Sequence, residues 1–348
     1  MNDLYARITE MPKIDLHLHL DGSVKPKTVL SLAKREKIKL PVYDERQLRG
    51  LMQIDDNCDS LTTYLSKFEL VSRVLHSRYG LEQVAMETVE QAFKQNCKYI
   101  EVRFGPQLHR KKGLSLEQVI EAVINGLKKG ERMYGVKANA IACCLRHHSI
   151  EENKEVIEAA TGFVDAGLVA VDLAGDEATY PAQLFHQVFE LANKKDLPIT
   201  IHAGEAAGPE NIDVAVNQLG ANRIGHGVRL RDNLDLLDSI HLKQIPLEMC
   251  PISNIQTKTC NGWNDYPIRD YFDRGLLVTV NTDNLTVSNT TLTKEWIVLA
   301  EKYKFTVEEL HQLSLNSIQA SFLSKDEKAA LSTTFASNKN HLDVQNAI

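Results

Sequence analysis

The sequence predicts an α/β fold of the TIM type, a closed (β/α)8 barrel, from three observations. Short apolar runs rich in Val and Ile alternate with stretches of helical periodicity, eight strand candidates can be counted, and the chain has 348 residues. Strands that alternate with helices are joined by right-handed crossovers and form a parallel sheet. Such a barrel usually takes about 250 residues and exceeds 400 with insertions. An open doubly wound sheet is the competing architecture, but its usual ligand fingerprint is missing from the first strand–helix turn.

Each predicted strand is a short apolar segment, and helical segments separate most of them. The strands are Ile14–Leu20, Tyr99–Phe104, Lys137–Cys144, Leu168–Ala174, Pro198–Ala203, Arg223–His226, Gln244–Met249 and Leu277–Thr282. The clearest amphipathic helices are Leu116–Lys129 and Tyr180–Lys194. Residues 25–95 are too many for a simple crossover and predict a helical insertion after strand 1, including a helix over Leu61–Leu75. We expect part of this insertion to cover the mouth of the barrel, within a single domain spanning residues 1–348.

The composition disfavours several classes of partner. There are 46 acidic and 40 basic side chains, which gives a net charge of −6, whereas binding to duplex nucleic acid requires a basic surface. No apolar run approaches the roughly 18 residues of a membrane helix, and residues 1–13 contain no secretory apolar region. The six cysteines form no C-x-x-C pair, which indicates a reduced, cytoplasmic protein. The adjacent Cys143 and Cys144 are expected in the core.

A group of metal-binding side chains lies at the ends of the predicted strands. His17 and His19 end strand 1 and point to the same face, because side chains alternate along a strand. His202 ends strand 5 and Asp283 follows strand 8. The carboxyl ends of parallel barrel strands meet on one face, where active sites of this fold are built. Three nitrogens, one carboxylate and an open position suit a catalytic Zn²⁺, although iron or cobalt fits the same ligands.

Two further groups supply acid–base chemistry at the same face. Glu205 lies three residues beyond His202 and is a candidate proton donor whose pKa burial would raise. His226 lies between two glycines at the end of strand 6, where it either binds the metal or acts on metal-bound water. Strand 4 contains no lysine that could bridge two metals, so one metal is expected. The pair His147-His148 is expected in a loop near the mouth, without a metal role.

Seven segments of the chain resemble the adenosine deaminase family, in family order, over residues of about 12 to 320. They are Asp15–Ser23, Tyr99–Arg103, Asp172–Glu177, His202–Glu205, Arg223–Gly227, Cys250-Pro251 and Asn281–Asp283. The resemblance implies a (β/α)8 barrel that hydrolytically deaminates adenosine and 2′-deoxyadenosine to inosine and 2′-deoxyinosine, with release of ammonia, in purine salvage. It also implies one zinc per chain, held by the three histidines and the aspartate named above.

The resemblance assigns roles around the purine. A zinc-activated hydroxide attacks C6 in this family, Glu205 gives a proton to ring N1, and His226 orients the attacking water and accepts its proton. The backbone N–H of Gly175 faces N3, and Asp21 with His19 reaches the ribose 5′-hydroxyl. Relatives that act on free adenine carry Glu where Asp21 stands, which favours a nucleoside here.

Asn284 is one departure from many animal members, which have a second Asp at this position. An amide donates a hydrogen bond to N7 at any pH, so binding is expected to survive the change. The departure leaves open adenine, or another 6-aminopurine, as the alternative substrate.

The family pattern also points to residues around the pocket. An apolar lid is implied on the helix that carries Tyr64, Leu65 and Phe68, although packing against the barrel explains the same spacing. Glu248 resembles a carboxylate near His226, and such a partner holds the imidazole ring in the orientation that it needs. Arg103 and Glu101 lie on strand 2, where an internal ion pair is as good an interpretation as catalysis.

Three hypotheses remain for the function. The first is a zinc-dependent purine nucleoside deaminase, and the second is a deaminase of adenine or another aminopurine. The third is a nucleoside-binding protein without catalysis, against which the joint presence of Glu205 and His226 speaks. In each, the partner is a small uncharged molecule, with neither nucleic acid nor membrane involved, and the oligomeric state stays open.

Overall fold

Eight parallel strands form the centre of the protein in the computed structural model, which describes residues 2–54, 58 and 60–345. They pair in sequence order as two four-stranded sheets, β1 to β4 and β5 to β8. The strands are β1 Lys13–His19, β2 Cys97–Phe104, β3 Lys137–Leu145, β4 Leu168–Ala174, β5 Thr200–Ala203, β6 Arg223–His226, β7 Leu247–Met249 and β8 Val278–Val280.

Helices connect the strands and surround them. In the described part of the chain, the α-helices are α1 Asn2–Glu10, α2 Pro26–Glu36, α3 Glu45–Met52, α4 Leu61–Leu65, α5 Phe68–Ser72, α6 Arg78–Lys94, α7 Leu116–Tyr134, α8 Ile150–Thr161, α9 His186–Lys194, α10 Pro209–Asn217, α11 Leu234–Lys243, α12 Pro251–Gln256, α13 Ile268–Asp273, α14 Leu292–Tyr303, α15 Val307–Ala320 and α16 Lys325–Gln345. Five of them, α2 to α6, lie between β1 and β2.

Two parallel bridges close the sheets into a barrel. Val171 pairs with Ile199 between β4 and β5, and Leu18 pairs with Asp283 between β1 and the end of β8. At the second bridge the backbone N–H of His19 donates to the carbonyl of Asp283 at 2.7 Å, and the N–H of Asp283 donates to the carbonyl of His17 at 2.8 Å. The predicted (β/α)8 barrel is confirmed, and its last closure joins two strands that carry predicted metal ligands.

Several element boundaries differ from the sequence-based prediction for local reasons. Strand β5 begins at Thr200 rather than Pro198, because proline has no N–H for the ladder. Strand β7 begins at Leu247, because Gln244 ends α11 in a left-handed conformation with φ of 51°. The predicted helix over Leu61–Leu75 is two short helices, and between them the Ser66 hydroxyl bonds the Thr63 carbonyl, which competes with helix propagation.

The predicted helix over Tyr180–Lys194 is also shorter than expected. Pro181 precedes a 3₁₀ turn over Ala182–Phe185, and the α-helix starts only at His186. Helices α7 and α8 begin directly after their capping residues. Ser115 and Ser149 each form a reciprocal capping box with a residue three positions later.

The apolar faces of strands and helices meet in one large core, and a second cluster closes the amino end of the barrel. That second cluster contains Ile14, Leu16, Tyr99, Ile318, Ala320, Leu323 and Phe335. All six cysteines are buried free thiols, and Cys143 and Cys144 lie in β3 as expected. Within the described residues, no helix combines the length and apolar character that crossing a bilayer requires.

Glu295 is a buried carboxyl that accepts hydrogen bonds from neutral donors. On α14, it is fully buried, accepts from the Thr290 hydroxyl at 2.6 Å, and accepts from the backbone N–H of Ile252 at the start of α12 at 3.1 Å. Burial raises the pKa of Glu295 to about 8. At neutral pH the folded protein therefore holds a proton on this carboxyl that the unfolded chain has released.

This proton makes stability depend on pH. Between the unfolded pKa of about 4.3 and the folded pKa of about 8, the native state binds more protons, so the free energy of unfolding falls as pH rises. We expect Glu295→Gln to weaken this fall, because a neutral amide needs no proton. The limiting slope for one group is about 1.4 kcal/mol per pH unit. Chemical unfolding at a series of pH values from 5 to 9 measures it, and identical slopes for both proteins would contradict the assignment.

Candidate active site

A cavity of about 220 Å³ opens at the carboxyl ends of the strands. Eleven of the residues predicted from the sequence line it, which are His19, Asp21, Gly175, His202, Glu205, His226, Asp283, Asn284 and the predicted lid residues Tyr64, Leu65 and Phe68. His17 lies fully buried directly beneath, with its ring centroid 4.5 Å from that of His202. The carboxyl ends of the strands therefore bring together residues that are up to 267 positions apart in sequence.

Three histidines and one aspartate point ligand atoms at a common point. His19 Nε2 lies 3.2 Å from His202 Nε2 and 3.4 Å from Asp283 Oδ1, while His17 Nε2 lies 3.6 Å from the same carboxylate oxygen. Ligand atoms of His17, His19 and Asp283 all lie within 4.8 Å of one another. Two imidazole nitrogens facing each other at 3.2 Å are stable when a proton or a cation lies between them.

Two buried carboxylates determine which nitrogen of each ring faces the site. His17 Nδ1 bonds Glu248 Oε2 at 2.8 Å, and His202 Nδ1 bonds Asp172 Oδ1 at 3.1 Å. Because a carboxylate only accepts, each Nδ1 carries the proton and each Nε2 keeps its lone pair. The buried Nε2 of His17 has no hydrogen-bond partner within the described chain. This donor set fits a divalent metal that prefers nitrogen and oxygen ligands.

His226 is held in the opposite tautomer. Its Nδ1 lies 2.9 Å from the side-chain amide nitrogen of Asn254. The orientation of that amide is assigned from the Cys250 N–H and the Tyr266 hydroxyl, which both donate to the Asn254 oxygen. Nδ1 therefore accepts a hydrogen bond, and neutral His226 carries its proton on Nε2, which faces the cavity.

This tautomer separates His226 from the metal ligands. His17, His202 and His226 are also close enough to share a metal. However, Nε2 of His226 bears a hydrogen as bonded here and has no lone pair to give. The set that contains His19 and Asp283 is therefore the better ligand set, and His226 is left to act on a neighbouring molecule.

Glu248 requires a correction to the sequence-based expectation. It was expected to support His226, but its hydrogen bond goes to His17, and Asn254 supports His226 instead. The sequence identifies Glu248 only as a carboxylate at the end of a strand. Which ring it reaches depends on how β7 is placed against β1 across the barrel interior.

Asp283 and His226 both adopt a left-handed backbone conformation that non-glycine residues rarely take. Their φ angles are 60° and 65°, which costs of order 1–3 kcal/mol at each position. The surroundings hold Asp283 there through its two backbone bonds to β1 and through the Ser253 hydroxyl, which donates to Oδ2 at 2.5 Å. This conformation turns the carboxylate into the cavity rather than along the strand.

Gly225 allows the histidine rings to approach one another. A Cβ at this position would lie 3.1 Å from Cε1 of His17 and 3.2 Å from Cα of His202. Its own backbone lies on β6, one residue before His226, and is paired with His202. Any side chain here would push apart two of the presumed ligands.

Glu205 and His226 form a neutral acid–imidazole pair in the cavity. Burial, then the nearby Asp283 and Glu177 carboxylates, raise the pKa of Glu205 well above its usual value. Burial and the neighbouring His17 lower the pKa of His226 well below its usual value. Glu205 Oε2 lies 3.5 Å from His226 Nε2. The site can therefore hold a carboxylic acid and an uncharged imidazole side by side at neutral pH.

Charged side chains inside the barrel form a chain of ion pairs. Arg103 lies 2.7 Å from Glu248 and 3.2 Å from Asp172, while Arg223 lies 2.6 Å from both Glu248 and Glu101. All five side chains are buried. Glu101 and Arg103 therefore serve internal ion pairs, as one interpretation of strand 2 predicted, but with partners on β4, β6 and β7 rather than with each other.

The predicted substrate contacts surround the same cavity. Asp21 begins a 3₁₀ turn just after β1, and burial raises its pKa to about 6. Gly175 follows β4, and Asn284 follows Asp283. The Asn284 oxygen is buried without a hydrogen-bond partner in the described chain.

The predicted lid residues line the cavity on its outer side. Tyr64, Leu65 and Phe68 are joined there by Leu61, and all four lie on α4 or α5. Tyr64 is almost fully buried, and its hydroxyl lies 2.6 Å from that of Ser288. Leu65 is partly exposed. These residues thus both line the cavity and pack against the loop after β8.

Other lining residues were not assigned from the sequence. Cys143, Leu108 and His147 also face the cavity. His147 lies in the loop after β3 as expected, and among the described residues it belongs to no candidate metal group. Cys143 lies near the carboxyl end of β3, while Leu108 follows β2 and His147 follows β3, so placement at strand ends would also have identified these positions.

Comparisons with known proteins extend over nearly the whole chain. Residues 12–337 match the sequence model of a protein family described as Adenosine deaminase. A protein named Adenosine deaminase from Clostridium botulinum (strain Okra / Type B1) is 42% identical over 323 residues, covering 92% of this chain and 96% of that protein. One of the same name from Enterococcus faecalis (strain ATCC 700802 / V583) is 42% identical over 326 residues, covering 94% and 96%. A solved adenine deaminase from Arthrobacter aurescens has a TM-score of 0.88 at 28% identity, covering 95% of this chain and 99% of that one.

The close approach at Gly225 can be tested by metal content. We expect Gly225→Ala to lose most of its bound metal, because the new methyl group displaces the His17 ring and the main chain that carries His202. Gly50→Ala is the matched control, since nothing lies within 4 Å of a Cβ there, and it should bind metal as the wild type does. Elemental analysis of purified proteins gives the stoichiometry. Full occupancy in folded Gly225→Ala would show that these rings do not jointly hold the metal.

Proposed function

The chain belongs to the adenosine deaminase family, and from this premise we propose that it hydrolyses adenosine and 2′-deoxyadenosine to inosine and 2′-deoxyinosine, releasing ammonia. One observation carries the proposal. Glu205, whose pKa burial raises well above its usual value, lies 3.5 Å from His226 in the same cavity as the candidate metal ligands. Hydrolytic removal of the 6-amino group needs a proton delivered to the ring and an activated water, and these groups supply both requirements.

We propose one Zn²⁺ per chain as the metal, held by His17, His19, His202 and Asp283. The orphaned Nε2 of His17 and the two tautomers set by buried carboxylates support this ligand set. When bound in such a site, zinc lowers the pKa of a bound water to about 7, which makes hydroxide accessible at neutral pH.

The remaining residues act directly on the purine and the water. Glu205 holds the proton that ring N1 accepts, which allows C6 to become tetrahedral. His226 orients the attacking water through Nε2. As hydrogen-bonded here Nε2 is a donor, so accepting a proton at this atom requires the ring proton to move to Nδ1 and the Asn254 amide to turn its oxygen toward Nδ1. Asn254, which sets this tautomer, therefore controls which of the two roles His226 performs.

Substrate contacts follow from the lining of the cavity. We propose that the Gly175 N–H donates to N3, that Asp21 and His19 bind the ribose 5′-hydroxyl, and that the Asn284 amide donates to N7. The apolar residues of α4 and α5 would then cover the base as a lid. This arrangement is supported by the shared cavity of all these residues.

The charges favour a nucleoside over a nucleotide. Among the described residues that line the cavity there is no lysine or arginine, whereas Asp21 and Asp283 both line it. A phosphate group needs cationic or multiple N–H donors, and placing it near Asp21 would cost electrostatic free energy. A 5′-phosphate is therefore expected to weaken binding strongly.

Adenine, or another 6-aminopurine, is the alternative substrate. The Arthrobacter aurescens structure named as an adenine deaminase covers 95% of this chain, and Asn284 departs from the Asp of many animal family members. Asp21 favours the nucleoside, because a short carboxylate leaves room for the sugar. We also infer a role in purine salvage. The six buried free cysteines support a cytoplasmic location.

A substrate panel tests the proposal. We expect zinc-loaded enzyme to deaminate adenosine and 2′-deoxyadenosine with higher kcat/KM than adenine, and to leave 5′-AMP nearly untouched. Asp21→Glu should lower kcat/KM for adenosine relative to adenine, because the longer side chain occupies space for the sugar. The ultraviolet change on loss of the amino group measures each rate. Higher kcat/KM for adenine in the wild type would favour the alternative, and no turnover of any 6-aminopurine would refute deamination.

Glu205→Gln tests the proton donor. We expect it to retain metal and to lower kcat by roughly 10²–10⁴-fold, the usual contribution of general acid–base catalysis. Elemental analysis and steady-state kinetics on the same preparation measure the two quantities. Loss of metal together with activity would place Glu205 among the metal ligands instead.

A further inference from the structure

Glu177 makes an unusual set of contacts for a residue outside the cavity. It lies on the loop after β4 and is almost fully buried. One carboxylate oxygen accepts from the backbone N–H of Gly204 at 2.7 Å, and the other accepts from Glu205, Ala206 and Ala207 at 2.9, 2.8 and 3.1 Å. Four consecutive amides of the loop after β5 thus converge on one side chain.

The loop backbone is shaped to present these amides. Gly204 has a φ of 69°, and a Cβ there would lie 2.5 Å from Cδ1 of Ile212 on α10. A turn of this kind directs successive N–H groups to one side and forms a nest for an anion. The anion in this nest is the protein's own Glu177 carboxylate, so the loop is fixed before any ligand enters.

We propose that Glu177 is the positioning residue of the proton donor. It holds the main chain of residues 204–207 so that the carboxyl group of Glu205 faces the purine. Glu177 also lies two residues after Gly175, which lines the cavity from the neighbouring strand. One side chain therefore sets the distance between the segment that contacts N3 and the segment that protonates N1. This inference rests on the proposed deamination.

The charge of Glu177 acts in the same direction as its geometry. After burial and Asp283, the Glu177 carboxylate is the next influence that raises the pKa of Glu205. Arg146, the nearest buried guanidinium on this side, bonds the carbonyls of Tyr180 and His202 rather than Glu177. Arg146 does favour ionised Glu205, but its influence on the pKa of Glu205 is smaller than that of the Glu177 carboxylate, whose charge the four amides compensate.

Glu177→Gln tests the proposal. An amide has one accepting oxygen, and its NH₂ group would oppose N–H donors, so the loop must shift. We expect kcat to fall on the order of 10²-fold, as small displacements of a catalytic group do, while KM and metal content change little. Hydrogen exchange at the amides of residues 204–207 should accelerate, and this readout does not depend on any substrate.

Two further variants make the test decisive. Glu152→Gln is the matched control, because Glu152 also accepts a backbone N–H, from Ser149 at 2.9 Å, in the capping box that begins α8. It should keep wild-type kcat. Glu177→Asp keeps the charge but withdraws it by one methylene, and should lower kcat less than Gln does. If Glu177→Gln does not fold, a drop in kcat for Glu177→Asp with metal and KM retained supports the proposal.

The outcomes separate this inference from the proposed function. Unchanged kcat and unchanged exchange in a folded Glu177→Gln protein would overturn the positioning role, and so would an equal loss in Glu152→Gln. A fully active Glu177→Asp would overturn it where Gln does not fold. An inactive wild type would refute deamination, whereas the exchange rates of residues 204–207 would still decide whether Glu177 holds the loop.

Discussion

The ion pairs inside the barrel are the interaction on which the site depends. Arg103 lies between Glu248 and Asp172, and these two carboxylates hold Nδ1 of His17 and His202. Removing a single partner from a buried charged pair typically costs about 3–5 kcal/mol, because the other charge is left uncompensated. Loss of any one of these charged side chains is therefore expected to destabilise the folded barrel strongly. This constraint sets the direction of the ligand atoms whether or not a metal is present.

The barrel closure adds a second constraint on the same side chains. Asp283 bonds β1 through its backbone while its carboxylate faces His17 and His19, so the seam between the first and last strands also contributes to the candidate metal site. The strained φ of Asp283 persists because the backbone bonds to β1 and the Ser253 hydroxyl hold this residue in place. Folding must be finished before the four ligands meet. Metal binding is accordingly expected to stabilise the closed barrel and not its separate halves.

Periodicity and strand-end placement predicted the barrel and brought the metal ligands and Glu205 together, because both depend only on local pattern and on parallel pairing. The pairing of carboxylates with rings was beyond such reasoning. Glu248 reaches His17 rather than His226 through the barrel interior, and Asn254 supports His226 from a different loop. A local sequence pattern does not predict contacts of this kind, because they depend on strand tilt and on the direction of each side chain.

A neutral substrate is consistent with how the protein satisfies its own charges. The amide nest after β5, which could hold a phosphate, is filled by Glu177, and the buried arginines are paired inside the barrel. What remains at the cavity is a protonated acid, an uncharged imidazole and the metal ligands. An anionic ligand would therefore gain little binding free energy at this surface. The proposed proton transfer from Glu205 to a ring nitrogen takes place among buried side chains, where a hydrogen bond to a developing charge is strong.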